Sequence, residues 1–451
     1  MNVIEIIDRQ QLGRFQLKII ILCGLVQFFD GFDMQMLAYT APAIMHDWGV
    51  PHAAFGSVFA AGMLGIVCGT AFLSPLADRI GRKKMLIAAV LLFAIMTFMI
   101  AGAQNLIELR VLRFFTGFGL AAVLPCTTVM VSEYAPKRRQ ATMITMMSIG
   151  FAVGAAAGGQ LNALLLPLIG WRGAFCIGGA FPLLLIIALM RYLPESLRYL
   201  AVKGGRDDEI ARTLRKMEPG IVIPAGARFY TPNEQPQRAP VIELFVRKRL
   251  AITLLLWVVI SLNLLMMNFL NNWLPSVLTG AGLTVTQAVR ATTLFQFGGI
   301  IGILLMGYIT DRRGYFPVLI AAFVLQAVVA ASIALGGGSI PVLLLAIPFA
   351  GLAVVGVNNM LAALTTTLYP TAMRATGSGW ANSFGHLVAL AGPIIGGILI
   401  GLGWPIRDLF FLLAAVPACG TIGMVALAAY RTHQLKAAAA ATVSATVLEP
   451  A

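Results

Sequence analysis

Long apolar runs, broken by short polar punctuation, make up most of this chain. They fall at about 17–45, 53–75, 85–103, 107–131, 141–166, 172–193, 250–278, 286–309, 316–336, 340–368, 376–402 and 407–430. A helix needs about 20 mainly apolar residues to cross a bilayer. The runs are continuous, without the ten-residue alternating pattern of barrel strands, so each predicts a spanning helix with its backbone satisfied internally. The expected fold class is an all-α polytopic membrane protein with twelve transmembrane helices. One long polar stretch, Pro194–Lys248, carries both signs of charge with Pro and Gly and divides six runs from six. The expected organisation is an N-terminal six-helix half over 1–193, a cytoplasmic linker over 194–248 and a C-terminal six-helix half over 249–431. An Ala-rich tail over 432–451 is expected to be disordered.

Composition supports this reading. The 451 residues are 59% hydrophobic and 11% charged, whereas soluble domains carry about 25% charged residues. The net charge of +14 invites a nucleic-acid reading until its placement is examined. Arg110, Arg113, Arg172, Arg290 and Arg407 lie within spans or on one side; the other 32 − 5 = 27 basic residues cluster on the opposite side if the spans alternate. That is the positive-inside pattern, which puts both termini and the linker in the cytoplasm of a bacterial inner membrane. No nucleic-acid partner is implied. The five cysteines lie within apolar runs without CxxC or His-rich spacing, which argues against disulfides and metal. The N-terminal segment has charges ahead of a span too long for a signal h-region, so no cleavable leader is expected.

The sequence repeats itself. Asp78-Arg79-Ile80-Gly81 returns as Asp311-Arg312-Arg313-Gly314, with 311 − 78 = 233. Pro136 followed by Gln140-Ala141-Thr142 returns as Pro370 followed by Arg374-Ala375-Thr376, with 370 − 136 = 234. Gly170-Trp171 returns as Gly403-Trp404, with 404 − 171 = 233. Repeats of this size imply two related halves with a ligand site near the midplane. In the first copy Gly81 permits a tight turn, while Asp78 can pair with a cation or a helix N-terminus in the opposite half as an inner gate. The alternative is that the loop only sets topology and turn geometry. Its recurrence as Asp311-Arg312 favours the gate.

Of the 18 acidic residues, Asp30 and Asp33 alone sit well inside a span. Three residues apart, they occupy neighbouring positions of one helix face. Such carboxylates must face a cavity, find a cation or take up a proton; a fixed pair bonded to hydroxyls or amides is the other reading. Arg113, about two turns into the fourth span, needs a carboxylate of its own. Asp33 or Asp30 would serve, as would the carboxylate of a bound anion held bidentately.

Several stretches together resemble the major facilitator superfamily. They are Asp78-Arg79-x-Gly81-Arg82-Lys83 with its shortened second copy, Arg113-x-x-x-Gly117-x-Gly119, and Pro194-Glu195-Ser196-x-Arg198. Within that superfamily, Asp30-Gly31-x-Asp33 is similar to the aromatic acid:proton symporters, as are Ser132-Glu133-Tyr134-x-Pro136, Asn272-Trp273-Leu274-Pro275 and Arg374-Ala375-Thr376-Gly377. The resemblance implies the major facilitator fold with two pseudo-symmetric halves and uptake of benzoate-like acids with protons. It further implies proton coupling at Asp30 and Asp33 and a requirement for Arg113, Glu133 and Arg374. Two departures stand out: Ser74 replaces the Gly that usually opens the inner-gate motif, and His386 stands where an arginine is common.

His386 is a candidate contact for the ligand's carboxylate, the alternative being a bond between helices. Amides in the second half, Asn272, Gln296, Asn358 and Asn382 among them, can orient hydroxyl or carboxylate groups without a counter-charge. Trp273 can stack on an aromatic ring, although core packing accounts equally for the aromatics. The Gly150-x-x-x-Gly154-x-x-x-Gly158 stripe predicts close helix packing. Expected partners are protons, a small aromatic carboxylate and the lipid bilayer, with a monomeric chain and no cofactor. Competing readings are a proton-driven exporter of aromatic or amphiphilic compounds and a membrane receptor for aromatic acids. An enzyme is disfavoured, since no Ser/His/Asp set, metal cluster or phosphate loop is present.

Overall fold

A computed structural model describes residues 1–9, 13–218, 220–221, 223–224, 226–230, 241–246, 249–336, 339–369 and 373–447. Short helix α1 (Val3–Arg9) precedes α2 (Arg14–Trp48), α3 (His52–Ile80), α4 (Arg82–Ile100), α5 (Leu106–Leu120), α6 (Val123–Tyr134) and α7 (Lys137–Tyr192). After α8 (Leu197–Lys203) and α9 (Asp207–Met217) come α10 (Leu250–Gly280), α11 (Val285–Arg313), α12 (Tyr315–Leu335) and α13 (Ile340–Leu368). The last are α14 (Arg374–Ala389), α15 (Ala391–Gly401) and α16 (Ile406–Val447).

Among the described residues, 11 helical segments are long and apolar enough to cross a membrane, counting α5–α6 and α14–α15 as one each. The segment α7 has 56 residues, which at 1.5 Å per residue is about 84 Å, twice the thickness of a bilayer. Gly170 within it has φ 67 and ψ −178 and breaks the helix, so α7 is two crossings. The protein is a multi-pass, all-α membrane protein with the twelve crossings expected.

The repeat reappears in the backbone. Glycines with positive φ pair off at one spacing: Gly49 (63°) with Gly282 (101°), Gly81 (103°) with Gly314 (77°) and Gly170 (67°) with Gly403 (73°). In each pair the numbers differ by 233, as in 314 − 81 = 233. Side chains with a Cβ are disfavoured at such φ, so both halves change direction at equivalent places for the same steric reason.

By packing, the chain forms two compact units. One comprises Met1–Gln235, Asn271–Gln296 and Pro393–Leu402; the other comprises Pro236–Leu270, Phe297–Gly392 and Gly403–Ala451. In the first, the glycine stripe of α7 does what its spacing predicts. A Cβ on Gly150 or Gly154 would fall on the carbonyl of Gly24 or Phe28 in α2, and one on Gly31 of α2 would fall on the Phe151 carbonyl. These two helices touch backbone to backbone, as small-xxx-small stripes allow. Likewise α3 lies against α5, with Gly65 and Gly69 facing the carbonyls of Phe114 and Phe118.

Two sequence expectations need amendment. Beyond Pro194 the chain is more than a linker: α9 presents Ile210, Thr213, Leu214 and Met217 on one face, the i, i+3, i+4, i+7 pattern of a docking helix. Ile210, Leu214 and Met217 share a core with Val3 and Ile7 of α1 and with Phe229. The C-terminal tail is also helical as far as Val447 rather than disordered, because an Ala-rich run has the highest helix propensity. Residues 448–451 lie outside the described residues.

Candidate functional site

Packed tightly on α7, helix α2 directs its polar positions toward α4, α5 and α6. Asp33 is the centre of the arrangement. Its Oδ2 accepts from Arg113 Nη1 of α5 at 3.0 Å, with side-chain exposures of 3% and 6%, and its Oδ1 accepts from the Thr97 hydroxyl of α4. Asp30, one turn earlier, is also buried, yet has no hydrogen-bond or ion-pair partner among the described residues. One turn further back, Gln27 Nε2 donates to Thr127 Oγ1 of α6 at 2.8 Å. The two acids therefore differ: one is neutralised by a cation, the other is not.

Arg113 is held sparingly. Only one guanidinium nitrogen bonds Asp33, and its buried Nε has no partner. Gly62 of α3 lies beside the group; a Cβ there would be in ordinary contact, 3.7 Å from Nε and 3.8 Å from Nη2. A monodentate pair leaves donors that a second carboxylate can use. Separating two buried charges is unfavourable unless each finds a new partner or changes charge.

A second cluster lies at the Asp78 end. Asp78 pairs with Arg82 of the next turn at 2.7 Å. Gly81 turns against Glu195, whose Oε1 accepts from the backbone N–H groups of Lys83 at 3.0 Å and Ser196 at 2.9 Å. The Arg79 carbonyl accepts from Tyr199 Oη at 3.2 Å. Glu133 Oε2 accepts from Ser196 Oγ at 2.5 Å, while its buried Oε1 has no partner. In the second copy of the loop, Asp311 is exposed and Arg312 lies over the Tyr308 ring at 4.3 Å. The side chain of Arg374 lies outside the described residues.

The segments Asn271–Gln296 and Pro393–Leu402 of α10, α11 and α15 belong to the first unit. Asn271 Oδ1 accepts from Gln35 at 2.8 Å and from Gln296 at 3.2 Å. Trp273 is fully buried against Phe59 and His52, and its Nε1 donates to the Pro393 carbonyl at 2.9 Å. Its face and N–H are committed to packing, the bland alternative for this residue. Beyond it a cavity of about 970 Å³ is lined by His46, Asp47, His52, Trp171 and Arg172 with apolar neighbours. Asn272 is half-buried in the first unit; Asn358, Asn382 and His386 are half-buried in the second, where Asn382 donates to the Ser378 carbonyl at 3.0 Å.

Sequence reasoning offered Asp33, Asp30 or a bound carboxylate as the partner of Arg113, and overlooked Thr97, Glu195 as the brace of the Asp78 loop, and the Gln35–Asn271–Gln296 link. A signal for Thr97 existed: it is the single polar side chain of α4 after Lys84.

A two-fold repeat of membrane-spanning helices with an ion pair buried in one half is the architecture of a membrane transporter. The family model described as Major Facilitator Superfamily matches residues 23–393 and, in an overlapping second match, 256–447; the chain belongs to that superfamily. It is 36% identical to the 4-hydroxybenzoate transporter PcaK of Pseudomonas putida over 94% of this chain and 95% of the relative. It is 37% identical to a gallate transporter of Pseudomonas putida over 93% of each. Among solved structures, the nucleoside transporter NupG shares the fold with a TM-score of 0.70, 15% identity and coverage of 92% of this chain and 99% of that one.

Proposed function

We propose that this protein takes up an aromatic carboxylate of the benzoate or hydroxybenzoate type together with protons, by alternating access, across the bacterial inner membrane with both termini in the cytoplasm. The substrate class is supported by relatives named for 4-hydroxybenzoate and gallate. Proton coupling is supported by one observation above all: Asp33 is buried on Arg113 while Asp30, one turn away, is buried with no hydrogen-bond or ion-pair partner among the described residues.

Importing a monoanion against an inside-negative potential costs about 2.3 kcal/mol per 100 mV. One accompanying proton cancels that term and leaves the pH gradient as the driving force. In this reading, protonation of the Asp30/Asp33 pair releases Arg113, whose free donors take the substrate carboxylate. Neutralised, the loaded carrier changes conformation; loss of substrate and proton inside restores the Asp33–Arg113 pair. We assign ligand contacts in the second half to His386, Asn358 and Asn382, with Asn272 and Gln296 orienting the ring substituents. The loops bearing Asp78, Arg79, Gly81 and Arg82, and Asp311 and Arg312, with Glu133 and Arg374, act as gates.

The test is accumulation of labelled 4-hydroxybenzoate in vesicles under an imposed pH difference. A 1:1 symporter sustains about a tenfold accumulation per pH unit. Asp33→Asn is expected to reduce this to simple equilibration while still exchanging labelled for unlabelled substrate. Undiminished accumulation by a normally inserted Asp33→Asn protein would sink the coupling role. Comparison of right-side-out with inverted vesicles fixes the direction.

A further inference from the structure

We propose that Thr97 is a positioning residue that sets the pH at which Asp33 exchanges its proton, donating to the carboxylate when it is ionised and accepting from it once it is protonated. This rests on the coupling role given to Asp33 above.

Thr97 differs from other buried threonines in meeting a carboxylate; Thr253 and Thr310 also reach outside their helices, but to the Leu244 carbonyl and the Met360 sulfur. Thr40, Thr116, Thr127, Thr292, Thr293 and Thr365 all donate to the carbonyl four residues back in their own helices. Thr97, only 1% exposed, instead directs its hydrogen across to Asp33 of α2. The charged groups on hand are Arg113 from α5, paired with that carboxylate, and Asp30 one turn away on α2; among the described residues its hydrogen bonds and ion pairs are those with Arg113 and Thr97. With Arg113 on one oxygen, Thr97 is the neutral partner of the other.

An ionised carboxylate only accepts hydrogen bonds; a protonated one has an O–H to donate, and a hydroxyl can do either. On protonation of Asp33, rotation about one Thr97 bond lets the hydroxyl oxygen accept the new O–H. The Thr97 contact to Asp33 is thereby kept in both protonation states, where an unmatched buried group would be costly.

The experiment is equilibrium binding of labelled 4-hydroxybenzoate to the purified full-length protein in detergent between pH 5 and pH 9. Wild-type affinity should rise as pH falls, with a single midpoint that Asp33→Asn removes. Thr97→Val keeps the shape and deletes the bond that favours the ionised form, so its midpoint should move up by about one pH unit. Thr97→Ser should return it to the wild-type value. Thr97→Ala serves as a second deletion if the valine protein folds poorly, with the same expected shift. An unmoved midpoint in folded Thr97→Val or Thr97→Ala overturns the proposal, as does a serine variant shifted as far as the valine, which would make the methyl and not the hydroxyl responsible. A wild-type midpoint that survives in Asp33→Asn overturns the underlying coupling role as well, and so separates the two failures.

Discussion

In the first half, α2 and α7 meet backbone to backbone through Gly24, Gly31, Gly150 and Gly154; in the second, the corresponding α10 and α14 meet through rings. Trp257 stands 257 − 24 = 233 residues after Gly24, and it stacks at 4.9 Å on Phe384, itself 384 − 150 = 234 after Gly150. The neighbouring packing is unchanged between halves. Gly65 and Gly69 on the carbonyls of α5 return as Gly298 and Gly302 on the carbonyls of Pro348 and Leu352 in α13. Scaffold contacts were kept, and the helix pair that carries the acids diverged. The charges diverged with it. Positions 233 after Asp30, Asp33 and Arg113 are Asn263, Met266 and Ala346. Asn263 is fixed, donating to the Val354 carbonyl at 3.4 Å and accepting from Gln326 at 3.2 Å. An amide satisfied in this way has no second state to move to. Repetition thus supplies the architecture, and loss of symmetry at its centre confines ion-pair chemistry to one half.

The largest effect is expected from making one half resemble the other. Arg113→Ala strands Asp33 in a buried site, which costs about 3–5 kcal/mol when one member of such a pair is removed. Thermal unfolding in detergent should register the loss, and uptake should vanish. Adding Asp33→Met gives the first half the Met266/Ala346 pattern of the second and removes the stranded charge. The double variant should regain much of the stability and none of the transport. Recovery of uptake in that protein would mean that the charged pair is structural.

A smaller effect is expected at the α2–α7 seam. Gly154→Ala drives a methyl onto the Phe28 carbonyl, an overpacking defect of about 1–3 kcal/mol. Because α2 also holds Asp33, the displacement should slow uptake as well as lower the unfolding temperature. The exposed Gly379 of α14 has nothing within 4 Å of a built Cβ. There, Gly379→Ala should be neutral or stabilising by up to about 1 kcal/mol through helix propensity. Equal responses at the two sites would remove the argument for a backbone contact.

What the sequence made legible follows from what each signal depends on. The crossings and the repeat were readable because solvent and turn sterics act locally, on every residue of a run. The Asp33–Arg113 pair was half readable: a buried charge demands a partner, but two acids three residues apart both qualify. Only the rotation of α2 against α5 assigns the cation to Asp33. Thr97 is a lone hydroxyl in an apolar helix, yet threonines in helices commonly satisfy themselves, so its reach across to another helix was hidden until the packing was known. The partners of Gln35 and Trp273 are distant in sequence, at Asn271 and Pro393, and no local pattern encodes them. The helix that runs on to Val447 follows from alanine propensity alone, without an apolar face to show it in the pattern.

The smallest and sharpest comparison sets Gly81 against Gly314. Both glycines have positive φ, 103° and 77°, so an alanine at either is strained by about 1–2 kcal/mol. Their surroundings differ. A Cβ on Gly314 meets nothing within 4 Å, whereas one on Gly81 comes within 2.5 Å of Glu195 Oε2 and 3.1 Å of the Tyr199 ring. Glu195 is the acceptor for Lys83 N–H and Ser196 N–H, so moving it releases the brace of the Asp78 loop as well. If the loops are equivalent hinges, Gly81→Ala and Gly314→Ala should lower stability and uptake alike. If the brace matters, Gly81→Ala should exceed Gly314→Ala by about 1 kcal/mol, the size of a lost hydrogen bond. Adding Glu195→Ala to Gly81→Ala should then bring little further loss, because the bond is already gone. Full additivity of the two changes would show that the glycine is needed only for its turn.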